Sequence, residues 1–275
     1  MKNKNIIITG GTSGIGKETA MQLASQQANV VFCGRDNNKG KQTINEIIDA
    51  TGNKNVSFLQ ADFCSFASVK NLVNQAKEKV NRIDVLINNA GFITNKCVIT
   101  EDGIESQWSV NYFSPWLLTR LMLNENLLTN GSRIINVSAS AHAWAKGLDY
   151  DFSCSKIYSG RSVYSKTKLA INMFSFYLAG FIREKGITVN CLHPGVIRTQ
   201  FKAHLLVPPA VIFKYFFPPP RKGAKTSFFL ATDNSVKNVT GKYFIDLKPA
   251  KSSKYSLVIE EQKKLWFETE RMLKL

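Results

Sequence analysis

An α/β fold built on a doubly wound parallel sheet is predicted by three observations. Short apolar runs alternate with longer segments of helical period. The runs are β-branched and apolar on both faces, as strands covered by helices on both sides must be. A glycine-rich turn joins the first run to the first helical segment. The 275 residues suit one α/β domain. No internal repeat and no Pro/Gly/Ser linker divides the chain, so 1–275 is read as a single domain.

The elements follow in order. Strands are expected at Asn5–Thr9, Asn29–Cys33, Val56–Ala61, Ile83–Asn88, Arg133–Ser138 and Ile187–Leu192, with Lys242–Asp246 completing the sheet. Helices are expected at Gly16–Gln27, Lys39–Thr51, Ser65–Val80, Ile104–Leu128 and Ser162–Lys185. Segment 242–275 supplies the last strand and a closing helix. Thr199–Pro220 breaks the rhythm, because its prolines forbid one continuous helix. It reads as an apolar helical insertion after the sixth strand, and 199–222 is expected to act as a lid over a substrate.

Composition narrows the function classes. Thirty-six Lys+Arg against 20 Asp+Glu give a formal charge of +16, which favours anionic partners. The basic residues are dispersed, so most read as solvated surface and no nucleic-acid partner is expected. No run of 18 apolar residues suggests a membrane span, and no signal peptide is readable at Met1–Asn5. The five cysteines are far apart and lack metal-ligand spacing. They read as reduced thiols of a cytoplasmic protein, and no metal site is expected.

Thr9–Gly16 (TGGTSGIG) lies between the first strand and the first helix. Glycines there allow a tight turn and close backbone approach, and the helix N-terminus offers free N–H groups to a pyrophosphate. Gly10, Thr12, Ser13, Gly14, Ile15 and Gly16 are therefore candidate dinucleotide contacts. The second strand ends in Gly34 and Arg35, where an NAD-binding fold would hold a carboxylate for the ribose 2′-hydroxyl. Arg35, assisted by Lys39, suits a 2′-phosphate instead, so NADP(H) is the expected cofactor. Asp62, with Phe63 beside it, ends the third strand where a carboxylate could accept from an adenine amino group. The same aspartate could simply cap the next helix. Asn89, Ala90 and Gly91 close the fourth strand with small residues against the adenosine ribose.

Tyr164 and Lys168 form Y-x-x-x-K, which puts both on one helix face. A phenol titrates near ~10, too high for a proton carrier at neutral pH. The adjacent ammonium is expected to favour the phenolate.

Together these motifs resemble the short-chain dehydrogenase/reductase family, in its order and over essentially the whole chain. Stretches at Cys33–Lys41, Asn111–Leu123, Asn136–His142 and Arg221–Thr226 look like its retinol dehydrogenase-like branch. The resemblance implies a Rossmann-type fold, an NADP(H) cofactor and reversible oxidation of an alcohol on a lipophilic substrate. It assigns catalysis to Tyr164, Lys168 and Asn111. Pro194, Gly195, Val196, Ile197 and Thr199 would meet the nicotinamide. The branch's usual N-V-S-S reads Asn136-Val137-Ser138-Ala139-Ser140 here, so Ala139 stands where a serine is expected. Ser138 and Ser140 remain candidates for its role. His193 reads as structural or near the cofactor.

Two other readings stand beside the enzyme. Ala139 suggests a catalytically weakened NADP-binding regulatory protein. The charge and the apolar run 204–217 suggest peripheral membrane contact. A homo-oligomer is the remaining expected association.

Overall fold

The computed structural model describes residues 1–154, 157–195 and 218–275. Val196, Ile197, Thr199 and nearly all of the expected lid lie outside the described residues.

Among the described residues, one sheet of eight strands runs in the order β3-β2-β1-β4-β5-β6-β7-β8. The strands are β1 (Asn5–Thr9), β2 (Asn29–Gly34), β3 (Val56–Gln60), β4 (Ile83–Asn88), β5 (Leu128–Val137), β6 (Thr188–His193), β7 (Lys242–Ile245) and β8 (Lys248–Ala250). β1 to β7 are parallel, and β8 folds back on β7 as the one antiparallel pair. The chain reverses its direction of travel between β1 and β4. That switch point opens a crevice at the carboxyl ends of the strands.

Side-chain alternation divides the core. Ile6 and Ile8 face one layer, with Ala20 and Leu23 of α1 (Gly14–Ser25) and Ile47 of α2 (Asn37–Thr51). Leu230, from helix Pro220–Thr232, closes that layer. Ile7 faces the other, with Leu72 of α3 (Phe66–Lys79), Trp116 of α5 (Ser114–Asn124) and Phe174 of α6 (Gly160–Phe181). Trp266 of the C-terminal helix Ile259–Leu273 packs there, 5.0 Å from Trp116 between ring centroids. A ladder of buried amides crosses this interface. Asn88 donates to Asn136 Oδ1 at 2.8 Å, and Asn136 donates to Ser175 on α6 at 2.8 Å. Because Asn88 and Asn136 are register partners, the ladder also ties β4 to β5.

Three expectations are corrected. The helix expected over Ile104–Leu128 is a short α4 (Ser106–Trp108), a π-turn Ser109–Phe113 and α5, ending at Asn124. Asn126 takes φ +56° and turns the chain, so Leu128 opens β5 instead. Residues 220–222, assigned to the lid, begin the helix that packs on the sheet. The third correction concerns the cysteines. Cys97 and Cys154 form a disulfide between the loop after β4 and the loop before α6. Only Cys33, Cys64 and Cys191 are free thiols. The pairing spans 57 residues and has no local signature.

That crosslink restricts the unfolded chain. Cys97→Ser should lower the unfolding free energy by about 2–4 kcal/mol. Denaturation with and without reductant checks this: reductant should destabilise the wild type and leave the variant unchanged.

Candidate active site

The strand ends open into one cleft of ≈ 840 Å³. At one end is the glycine loop. Gly10 takes φ +68°, and Ser13 precedes α1 without spending its hydroxyl on a cap. The amides of the first turn of α1 are thus left for a ligand. A Cβ on Gly16 would collide with the Gly10 carbonyl and the Asn89 amide, so only glycine fits there. Asn89 holds the loop from β4: its Nδ2 donates to Thr9 O at 2.8 Å and Gly10 O at 3.1 Å. The backbone amides of Asn89 and Ala90 both donate to Thr9 Oγ1 at 2.9 Å. This cradle of close backbone and unspent amides has the shape and polarity that a dinucleotide pyrophosphate requires.

Gly34, Arg35, Asp62 and Phe63 continue the lining. Arg35 is exposed. Asp36, the next residue in the chain, uses its carboxylate to cap α2 through Lys39 N at 3.0 Å. The lining does not include Lys39, which sits in the first turn of that helix. Asp62 uses Oδ1 to accept from Cys64 N at 2.9 Å, and its own amide donates to Ser68 Oγ. It therefore shapes the turn while facing the cleft.

At the other end stand Tyr164 and Lys168. Lys168 Nζ donates to the Val137 carbonyl at 2.9 Å and lies 5.6 Å from the Tyr164 ring centroid. Burial lowers the lysine to about 8 and pushes the Tyr164 phenol up from its ordinary value. The expected downward pull on the phenol is thus not the dominant effect in the protein alone, because desolvation outweighs the ammonium.

Asn111 lies in the π-turn. Its Oδ1 accepts from Phe92 N at 2.9 Å, and its Nδ2 donates to Phe92 O at 3.0 Å and Thr167 Oγ1 at 3.2 Å. Ser114 N bonds to Ser109 O, five residues back, and Pro115 has no N–H for the Asn111 carbonyl. Gly91 makes the close approach possible: a Cβ there would sit 3.0 Å from Asn111 Oδ1 and 3.4 Å from Lys168 Nζ.

The serine question has a geometric answer. Ala139 lines the cleft in extended backbone. Ser138 is also in the lining, but its hydroxyl donates to Lys168 O at 3.2 Å. Ser140 is exposed, starts the 3-10 turn Ser140–Trp144 and is not among the lining residues. His142 is a brace: its Nδ1 meets Ala139 O at 2.8 Å and its Nε2 accepts from Ser253 N at 3.1 Å. Burial holds it below the ordinary histidine range. His193, Pro194 and Gly195 line the cleft. Sequence reasoning missed Trp144, Arg161, Phe92 and Ile93, which also line it. Arg161 alone had a signal, lying one helical turn before Tyr164 on the same face.

The short chain dehydrogenase family model matches residues 4–207. The chain is a short-chain dehydrogenase. Within this oxidoreductase family it falls in the retinol dehydrogenase-like branch. It is 34% identical to retinol dehydrogenase 13 of Mus musculus, over 99% of this chain and 84% of that protein. It is 33% identical to the polyprenol dehydrogenase of Homo sapiens, over 94% and 82%. Among solved structures, an uncharacterised protein of Mycobacterium Paratuberculosis superposes with a TM-score of 0.81 at 25% identity, covering 99% and 94% of the two chains. A blue fluorescent protein from a metagenomic library, solved with NADPH, gives 0.72 at 25% identity, covering 88% and 96%.

The buried lysine of this dehydrogenase has a thermodynamic signature. Its folded-state value of about 8 lies below the ordinary 10.5, so between them the unfolded chain binds more protons. Stability contributed by Lys168 therefore rises with pH through that window. Relative to Lys168→Met, the wild type should gain about 3 kcal/mol between roughly pH 8 and 10.5. Chemical denaturation across that range checks it; parallel curves would reject the assignment.

Proposed function

We propose that the chain is an NADP(H)-dependent oxidoreductase that interconverts a lipophilic alcohol and its carbonyl. One observation carries the reading: the glycine loop, Arg35 and the Tyr164–Lys168 face line a single cleft. A nicotinamide dinucleotide bound there supplies the hydride acceptor or donor. Gly10–Gly16 would hold its pyrophosphate, Arg35 its 2′-phosphate, and Pro194–Gly195 would flank its reactive end. A neighbour solved with NADPH, and relatives named for retinol and polyprenol, support the cofactor and the lipophilic substrate class.

The chain's own residues divide the remaining work. Tyr164 gives its phenolic proton to a carbonyl oxygen during reduction, or takes one from an alcohol during oxidation. Burial favours the protonated phenol, which is the form that reduction needs. Lys168, fixed by Val137 O, provides positive charge beside that phenol and favours the phenolate left after transfer. Asn111 fixes residue 92 at the cleft wall. With alanine at 139, the side chain at that position offers no donor to the substrate oxygen beside Tyr164, and a missing donor of this kind costs about 10²–10³ in rate. A regulatory NADP-binding protein with weakened turnover is the second reading, favoured by that alanine.

Single-turnover reduction of apolar carbonyls tests the proposal. Tyr164→Phe should abolish turnover with NADPH binding intact, whereas Ala139→Ser should accelerate it. Substantial turnover in the tyrosine variant would mean that the proton comes from elsewhere. NADPH binding without turnover in any form would favour the regulatory reading.

Cofactor choice has its own test. Arg35→Ala should weaken NADPH about 10–100-fold and NADH little, as loss of a charge-assisted phosphate contact predicts. Titration with both cofactors checks this, and equal losses would remove the 2′-phosphate assignment.

A further inference from the structure

An apolar corner stands at the start of the C-terminal helix. Leu257, Val258 and Ile259 are consecutive and 55%, 43% and 68% exposed. They span the end of the 3-10 turn Tyr255–Leu257 and the first residue of the helix. The helix buries Gln262, Leu265, Trp266 and Thr269 against the core. Ile259 lies three and seven residues before Gln262 and Trp266, so it continues the buried stripe beyond the core's edge into solvent. Three successive side chains exposed at a bend make a convex corner, which wedges into a surface more readily than it fills a groove.

Positive charge outweighs negative along the chain on either side of this corner, although the exposed Glu260 adjoins Ile259. Between positions 242 and 264 there are six lysines against three acidic residues. Lys254 precedes the corner by one 3-10 turn, and Lys263 follows Ile259 by one helical turn; both are exposed. Neither they nor Lys248 and Lys251 form an ion pair among the described residues. Glu261 is engaged, accepting from Tyr150 at 3.0 Å and Tyr255 at 2.6 Å.

The corner is also fixed relative to the cleft. Ser253 N and Ser252 Oγ bond to His142 Nε2 at 3.1 and 3.2 Å. A Cβ on Gly147 would meet the Tyr255 ring at 3.2 Å, so the 140–147 segment packs directly on 252–256. That segment carries Trp144, which lines the cleft and is 71% exposed. The apolar wedge and its lysines thus adjoin a segment that packs on the one carrying Trp144, a side chain that lines the cleft.

We propose that Leu257–Ile259, collared by Lys254 and Lys263, docks on an anionic membrane surface. The apolar side chains insert among the acyl chains near the headgroups, and the lysines meet lipid phosphate and carboxylate. Docking turns the cleft end that carries Trp144 toward the bilayer, where a lipophilic molecule would be held. The proposal does not depend on the redox reading.

Vesicle flotation of the full chain tests this, using phosphatidylcholine alone and phosphatidylcholine with phosphatidylserine. Wild type should float with the anionic vesicles and be released by high salt. Leu257→Ser/Ile259→Ser and, separately, Lys254→Glu/Lys263→Glu should each weaken that partition about tenfold or more. Melting temperature and NADPH binding should stay unchanged, because the altered side chains are exposed. Failure of the wild type to float overturns the proposal. So does undiminished flotation of both variants, which would place the contact elsewhere. A wild-type dimer that becomes monomeric in the leucine–isoleucine variant, without vesicle binding, would instead make this corner an interface between copies of the chain.

Discussion

The site depends on a two-way clasp between the end of β5 and the middle of α6. Lys168 donates its ammonium to the Val137 carbonyl, and Ser138 donates its hydroxyl to the Lys168 carbonyl. A buried ammonium is costly unless fixed acceptors receive it. The clasp provides one such acceptor and sets the height of α6 against the sheet. Tyr164, one turn earlier, is then held at the cleft with its phenol desolvated. Ser138 and Ala139 both line the cleft, but the Ser138 hydroxyl is committed to the helix.

The rest of the architecture holds that clasp in place. The Asn88–Asn136–Ser175 ladder fixes β4, β5 and α6 to one another near the carboxyl ends of the two strands. Thr9 and Asn89 join the glycine loop to the end of β4. His142 links the segment after β5 to the C-terminal region, more than a hundred residues away. Each tie sits at or near a strand's carboxyl end. Polar side chains are therefore concentrated where the sheet's reversal of direction already opens a crevice.

Chemistry and surface converge at that crevice. The cofactor end is polar and basic, with exposed Arg35 and free helix amides. The lining also includes Phe92, Ile93 and Trp144, with Arg161 one helical turn before Tyr164. Such an arrangement suits a charged dinucleotide meeting an apolar reactant. The disulfide between Cys97 and Cys154 joins the segment after β4, which carries Phe92 and Ile93, to the segment before α6. It restrains them without touching the clasp.

Several features were legible in the sequence because they are local. β1 and β4 follow directly from their apolar runs, and the Tyr164–Lys168 pair follows from helical spacing. The glycine loop was readable because its glycines answer to immediate backbone geometry, as the positive φ of Gly10 and Gly14 attests. Other features were decided only by tertiary structure. Whether Ser138 or Ser140 faces the cleft depends on a helix carbonyl thirty residues from Ser138. The role of His142 depends on a backbone amide 111 residues distant. The cysteine pairing depends on two loops meeting across a gap of 57 residues. Desolvation set the balance at Tyr164, and desolvation is a property of the whole packed fold. Sequence spacing records what neighbouring residues do to one another; which distant groups exclude water from a site is settled only when the chain has closed around it.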